Sequence, residues 1–276
     1  MLQQFDLFLF HAVNSFCGNW LLDRIAKFEE WDQLTKGCAI LAIYWWFWFA
    51  GPEKQREANR RQIVGAILGV LVALILARAL ADVLPERTRP MYDPAIGFHA
   101  PSLPINMNLE NWSSFPSDMA AFFIGLAYGI FRLSRPIGAF LLLYTSAWVC
   151  LPRIYLGIHY PSDLRAGAVI GIICVSVLTT QMARQTRFAQ PIMALVSACE
   201  QRRPQLFYAA AFIVSFEMAT VFLDVRTMER GLIKLLRFSG LFAGRAESAL
   251  FLVLGIMLTL ALILWVGHKL IGKRQA

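Results

Sequence analysis

The feature that most limits what this chain can become is a series of apolar runs, several of them near or above the roughly 20 residues that carry a helix across a bilayer. They cover about residues 34–51, 63–84, 117–131, 136–151, 164–183, 206–223 and 247–268. Composition agrees, because 58% of the 276 residues are apolar and only 16% are charged, where a soluble domain carries roughly a quarter. The sequence predicts an all-α, polytopic membrane protein with about seven spans. A transmembrane barrel would need short strands of alternating polarity, and none is evident.

The net charge of +8 does not point to nucleic acid. Most of the excess falls in the short connections at Lys54–Arg61, Arg132–Arg135 and Arg184–Arg203 and at the C-terminal Lys269, Lys273 and Arg274, as expected of cytoplasmic loops. The same alternation places 85–116 and 152–163 together on the outer side. The first of these is rich in proline and reads as a loop. Residues 1–32 read as an amphipathic interfacial helix, with Leu7, Phe8, Phe10 and Val13 interrupted by Asp6, His11 and Asn14. They lack the basic start of a cleaved signal peptide. His11 is read as a packing residue, and Tyr44–Phe49 as an aromatic belt. A basic amphipathic segment is expected over 225–247, and Glu217 is an acid at membrane depth. The five cysteines have no metal-ligand spacing and are read as packing residues.

Chemistry concentrates in Leu151–Gly167, where Arg153, His159 and Asp163 stand at fixed spacing between two apolar runs. An imidazole nucleophile needs an orienting carboxylate, and a phosphoryl group needs a guanidinium fork. Two further outer pieces converge on the same ends of the spans. One is Arg87-Thr-Arg89-Pro90, and the other is Ser113-Ser-Phe-Pro116-Ser117-Asp118-Met119 at the start of a span. Phosphoryl transfer is largely positioning and charge stabilisation, and helix N-termini are natural anion sites. Inside a span, Arg78 and Asp82 are one helical turn apart and are expected to meet each other or to line a cavity.

These three pieces resemble the motifs of the type 2 phosphatidic acid phosphatase superfamily, the membrane lipid-phosphate phosphatases. Pro152-Arg153, five residues, His159, three residues, Asp163 is similar to that family's last motif; Arg89-Pro90 resembles the end of the first, and Pro116-Ser117 the start of the second. The likeness covers about residues 1–183, leaving 184–276 as a two-span extension. It implies that His159 takes the phosphoryl group, that Asp163 sets its tautomer, that Arg89 and Arg153 clamp the phosphoryl oxygens, and that Ser117, with Asp118 beside it, completes the cradle. Three positions depart from the pattern. The family's first-motif Lys falls at Asp82, its general-acid His at Met119, and its Ser before the Arg at Pro152. Arg78 lies one turn before Asp82 and His99 lies in the outer loop, as accessory candidates for the missing cation and the missing acid.

Losing a general acid typically costs roughly 10²–10⁴-fold. That penalty is severe for an alkoxide leaving group. It is small for a lipid monophosphate, whose second pKa is about 6. The expected function is therefore a lipid diphosphate phosphatase or phosphotransferase acting on a polyprenyl diphosphate-type lipid at the periplasmic face of a bacterial inner membrane. The alternative is an inactive relative that binds or moves a phosphorylated lipid. No metal, cofactor or nucleic acid is expected, and the expected partners are the lipid substrate and the bilayer.

Overall fold

The computed structural model describes residues 2–32, 34–103, 109–110 and 112–222. The expected basic segment 225–247 and the last expected span lie outside them. The chain divides into two compact units, 1–186 and 187–276. Every regular element among the described residues is helical, so the protein is an all-α membrane protein.

The first unit begins with α1 (Leu2–Asn14) and α2 (Trp20–Trp31), two helices where the sequence predicted one. The break falls at Gly18, whose φ of +93° suits glycine and few other residues. Asn19 then caps α2 by accepting from Leu21 and Leu22 N–H. After these come α3 (Leu34–Phe49), α4 (Glu53–Val83), α5 (Asp118–Leu133), α6 (Arg135–Tyr155) and α7 (Pro161–Ala183). Helices α4, α6 and α7 are long and apolar enough to cross a membrane, and α3 is a shorter apolar helix. Helix α6 overruns its expected end at 151, so Arg153 rides on a helix and not on the following loop.

Helix α5, expected as a span, is shorter than α4, α6 and α7. Its 16 residues give a length of about 24 Å, short of the ~30 Å hydrocarbon core. It is instead the centre of the unit, with nearly every residue from Ala120 to Ile130 buried. Only part of the Tyr44–Phe49 cluster is an outward belt. Trp46 and Phe49 are exposed, whereas Tyr44 is buried and donates to the Leu126 carbonyl at 2.8 Å.

Small residues let the central helices touch. Glycines recur at four-residue spacing on α4 (Gly65, Gly69), α5 (Gly125, Gly129) and α7 (Gly167, Gly171). A Cβ on Gly69 would lie 2.6 Å from Val175 Cα, and one on Gly167 would lie 2.1 Å from the Ser117 carbonyl oxygen. In lipid, where tails are as apolar as side chains, such close approach supplies the packing that holds helices together. These contacts also set direction. The start of α4 meets the end of α7 (Gly65 against Thr179), and the start of α5 meets the start of α7. The loop before α5 and the connection between α6 and α7 therefore share one end of the bundle, and the basic starts of α4 and α6 share the other.

Helix α1 shows why its polar residues interrupt the apolar pattern. Asp6, Phe10 and Asn14, spaced by one turn, are all buried, whereas Phe5 and Phe8 are exposed. His11 is exposed and sits edge-on to Phe10. Asn14 is fixed by Nδ2 bonds to the His99 and Tyr155 carbonyls and by accepting the His99 N–H. In the second unit, α8 (Ala189–Arg202) occupies residues expected to be a basic loop, and α9 (Pro204–Ala219) carries Glu217.

Gly167→Ala should lower the thermal midpoint of the detergent-solubilised protein, with a cost of about 1–3 kcal/mol from overpacking. An Ala substitution at Gly97, where a Cβ meets nothing within 4 Å although φ is +64°, should cost less. A Gly167→Ala midpoint equal to wild type would refute the close-packing account.

Candidate active site

His159 is presented by two local devices. Helix α6 ends in a Schellman turn: Ile158 N–H bonds to the Arg153 carbonyl at 2.9 Å and Gly157 N–H to the Ile154 carbonyl at 3.0 Å. Gly157 takes φ +67°, and a Cβ there would strike the Phe98 ring at 2.6 Å. Two residues later α7 begins with Pro161 in its first turn and Asp163 accepting from the Tyr160 N–H at 2.8 Å. His159 lies between a helix end and a helix start, and its side chain is buried.

The imidazole has a defined tautomer. Nδ1 lies 2.8 Å from the Ser114 carbonyl oxygen. A carbonyl only accepts, so Nδ1 carries the proton and Nε2 carries the lone pair. Nε2 faces Ser117 Oγ at 3.3 Å and Arg89 Nη1 at 3.5 Å. The expected tautomer partner, Asp163, is farther, with Oδ2 3.7 Å from Nδ1. The Ser114 carbonyl, which sequence reasoning missed, is the hydrogen-bond partner, and Asp163 acts on the ring as a neighbouring charge. Burial pulls the His159 pKa down from the ordinary histidine value, Asp163 opposes this, and Arg89 and Arg153 reinforce it. His159 is therefore neutral at pH 7.

The two expected arginines are placed differently. Arg89 donates to the carbonyls of Trp112 (3.1 Å), Ile158 (2.9 Å) and Ser113 (3.2 Å), so three of its five N–H groups tie the loops together. Burial lowers its pKa to about 10, which still leaves it charged at neutral pH. Arg153 is also buried, and its Nε has no hydrogen-bond partner among the described residues. Its charge acts on His159 and Arg89 and, on the other side, on Glu30 and Lys36. Lys36 is itself buried, with Nζ 3.0 Å from the Glu30 carbonyl and 3.5 Å from Glu29 Oε1.

Ser117 is the N-cap of α5, accepting from Ala120 N–H at 3.3 Å, and its own N–H bonds to the Asp163 carbonyl at 3.1 Å. Asp118 pairs with Arg78 at 3.3 Å, and the Arg78 guanidinium lies 4.0 Å over the Trp112 ring. Arg78 thus reaches the region of Arg89, as its charge on that residue also indicates. Asp82 is half-buried near the end of α4. His99 is not among the groups within hydrogen-bonding reach of the His159 ring. Its side chain is exposed and makes no hydrogen bond or ion pair among the described residues, while its backbone is held by Asn14.

Arg87 stands in the outer piece Arg87–Pro90 but is given no role of its own by sequence reasoning. It donates to Asp163 Oδ1 at 2.5 Å, to Ser162 Oγ at 2.7 Å and to Asp6 Oδ2 at 2.7 Å, and its guanidinium stacks 4.0 Å over Tyr160. The available signal was its place two residues before Arg89 in an outer loop bordered by acids.

The arrangement offers a neutral imidazole whose Nε2 lone pair faces a hydroxyl and a guanidinium, with a second guanidinium buried nearby. Residues 62–187 match the PAP2 superfamily model. The chain is 26% identical to the bacitracin transport permease protein BcrC of Bacillus licheniformis over 162 residues, 59% of this chain and 72% of that protein. It is 24% identical to the putative undecaprenyl-diphosphatase YbjG of Escherichia coli K12 over 202 residues, 72% of this chain and 94% of that one. No solved structure matches the chain. Across residues 62–187, where the three motif pieces meet around His159, the chain is similar to the PAP2 superfamily.

Proposed function

We propose that this protein is an integral-membrane lipid diphosphate phosphatase, or a phosphotransferase of the same chemistry, that uses His159 as its nucleophile. The observation that carries the reading is the Nε2 lone pair of a neutral, buried imidazole set beside Ser117 and Arg89. In the first half-reaction Nε2 attacks the terminal phosphorus, the N–P bond forms, and the P–O bond to the bridging oxygen breaks. The lipid monophosphate departs with that electron pair. Nδ1–H stays on the Ser114 carbonyl and stabilises the charge that develops on the ring. In the second half-reaction a water or acceptor oxygen attacks phosphorus, the N–P bond breaks, and the acceptor's proton passes to solvent.

Met119 carries no proton to give, and Asp118 is engaged with Arg78 and with the Met119 N–H. The leaving group must therefore depart unprotonated. A monophosphate does so near neutral pH, because its second pKa is about 6; an alkoxide does not. This favours a polyprenyl diphosphate over phosphatidic acid, and the E. coli relative's name, a putative undecaprenyl-diphosphatase, points the same way. Basic residues gathered at the opposite end of the bundle favour an outward, periplasmic site. The charge replacements at Asp82 and Met119 sustain a second reading, an inactive protein that binds a phosphorylated lipid.

Purified protein should release phosphate from a polyprenyl diphosphate and much less from phosphatidic acid, and His159→Ala should abolish release. Lipid binding without release from either substrate would overturn hydrolysis and favour the binder. Because protonation silences Nε2 and burial lowers the His159 pKa, the acid limb of the rate should lie below the ordinary histidine value of ~6.5.

Met119→His should raise phosphatidic acid hydrolysis by roughly 10-fold or more, toward the range a general acid supplies, with little effect on the diphosphate. Equal gains on both lipids would count against the leaving-group argument.

The two arginines should separate in stability. Arg89→Ala removes the donor from one buried and two part-buried carbonyls, at about 1–3 kcal/mol for the buried one, so its thermal midpoint should fall. Arg153→Ala should keep a midpoint near wild type while lipid affinity drops. The opposite pattern would reverse the assigned duties.

A further inference from the structure

Asp163 is fully buried, and its two oxygens face different groups. Oδ2 accepts from Tyr160 N–H and lies on the His159 side, while Oδ1 takes the 2.5 Å bond from Arg87. The same Arg87 fork reaches Asp6 of α1 at 2.7 Å through its other nitrogen. Asp6 is buried and also accepts from Ser162 N–H at 2.8 Å and from Ser162 Oγ at 2.5 Å. A carboxylate–guanidinium–carboxylate chain therefore runs from the N-terminal helix to the carboxylate behind the imidazole. Its planar fork bridges two acids at once, a geometry that an ammonium cannot reproduce.

We propose that Arg87 and Asp6 are positioning residues for His159: Asp6 holds the Arg87 fork, and the fork fixes Asp163 through Oδ1 so that Oδ2 stays toward the ring. Docking of α1 by its buried Asp6, Phe10 and Asn14 face then belongs to the assembly of the site as well as to the fold. The inference rests on His159 being the working imidazole. A purely structural reading is that Asp6 only caps α7 and Arg87 only covers Tyr160. The charged groups that bear on the ring are Asp163, Arg89 and Arg153, with Arg87 and Asp6 behind Asp163.

The test uses the full-length protein in detergent, with Arg87→Met, Arg87→Lys, Asp6→Asn and the Asp6→Asn/Arg87→Met pair. Asn keeps the acceptor for Ser162 N–H and removes the charge on Arg87. In diphosphate hydrolysis Arg87→Met should lower kcat by roughly 10–100-fold, the range for groups that orient a working side chain from behind, at constant KM. Arg87→Lys should recover part of that loss. Asp6→Asn should lower kcat less than Arg87→Met and add nothing to it in the double variant. An independent readout is the nitrogen-15 NMR titration of His159, which should move to higher pH in Arg87→Met as the positive charge is withdrawn. A fixed titration with only a lower thermal midpoint, or additive effects of the two substitutions, would overturn the proposal. The titration needs no substrate, so an inactive wild type would sink the hydrolysis reading and still leave this one decided by NMR.

Discussion

A carboxylate buried without water must be surrounded by donors, and the structure is arranged around how Asp163 meets that demand. It has no exposed surface. The Tyr160 N–H supplies one donor and so starts α7, and Arg87 supplies another and so fixes the loop from α4. The Arg87 fork is only partly buried, and its second nitrogen reaches Asp6, and with it α1, at the same spot. One acid thus gathers three segments that are far apart in sequence. The imidazole stands where they meet.

Arg89 performs the complementary task with the opposite charge. Its three carbonyl partners come from the two loops that flank His159, residues 112–113 and 158. A cation that binds carbonyl dipoles closes a loop without neutralising itself, so its field is still felt at the ring and adds to the burial that lowers the His159 pKa. Arg153 is buried, and its Nε keeps a donor that no described residue uses. In the proposed reaction this gives the two arginines separate duties, one building the cradle and the other receiving the anion.

Much of this was legible in the sequence where one residue type at one spacing has few physical meanings. The Arg153, His159 and Asp163 spacing fits a helix end, a turn and a helix start, and the structure places it so. Long apolar runs gave α4, α6 and α7. Other elements were misread because the pattern had a second solution. Asp6 and Asn14 look like breaks in an apolar helix, yet at one-turn spacing around Phe10 they are its docking face. Helix α5 reads as one more apolar run, and its place at the centre of the unit, with nearly all of Ala120 to Ile130 buried, shows only in the packing. The paired glycines of α4, α5 and α7 were visible but became meaningful only once the facing backbone was known. A carbonyl partner such as that of Ser114 leaves no trace in residue identity at all, since every residue has one.

The hydroxyl of Ser117 joins the resting arrangement to the proposed reaction. With the proton on Nδ1, the Nε2 atom 3.3 Å away can only accept, so Ser117 O–H donates to it. That bond occupies the lone pair the chemistry needs. An arriving phosphoryl group brings oxygens that accept the same hydroxyl, and the serine can exchange one acceptor for a charged one, which makes the stronger bond. The exchange leaves no donor unpaired and exposes Nε2 to phosphorus in the same motion. Protection of the nucleophile and recognition of its substrate then fall to a single side chain, set at that distance by the close approach of α7 that Gly167 permits.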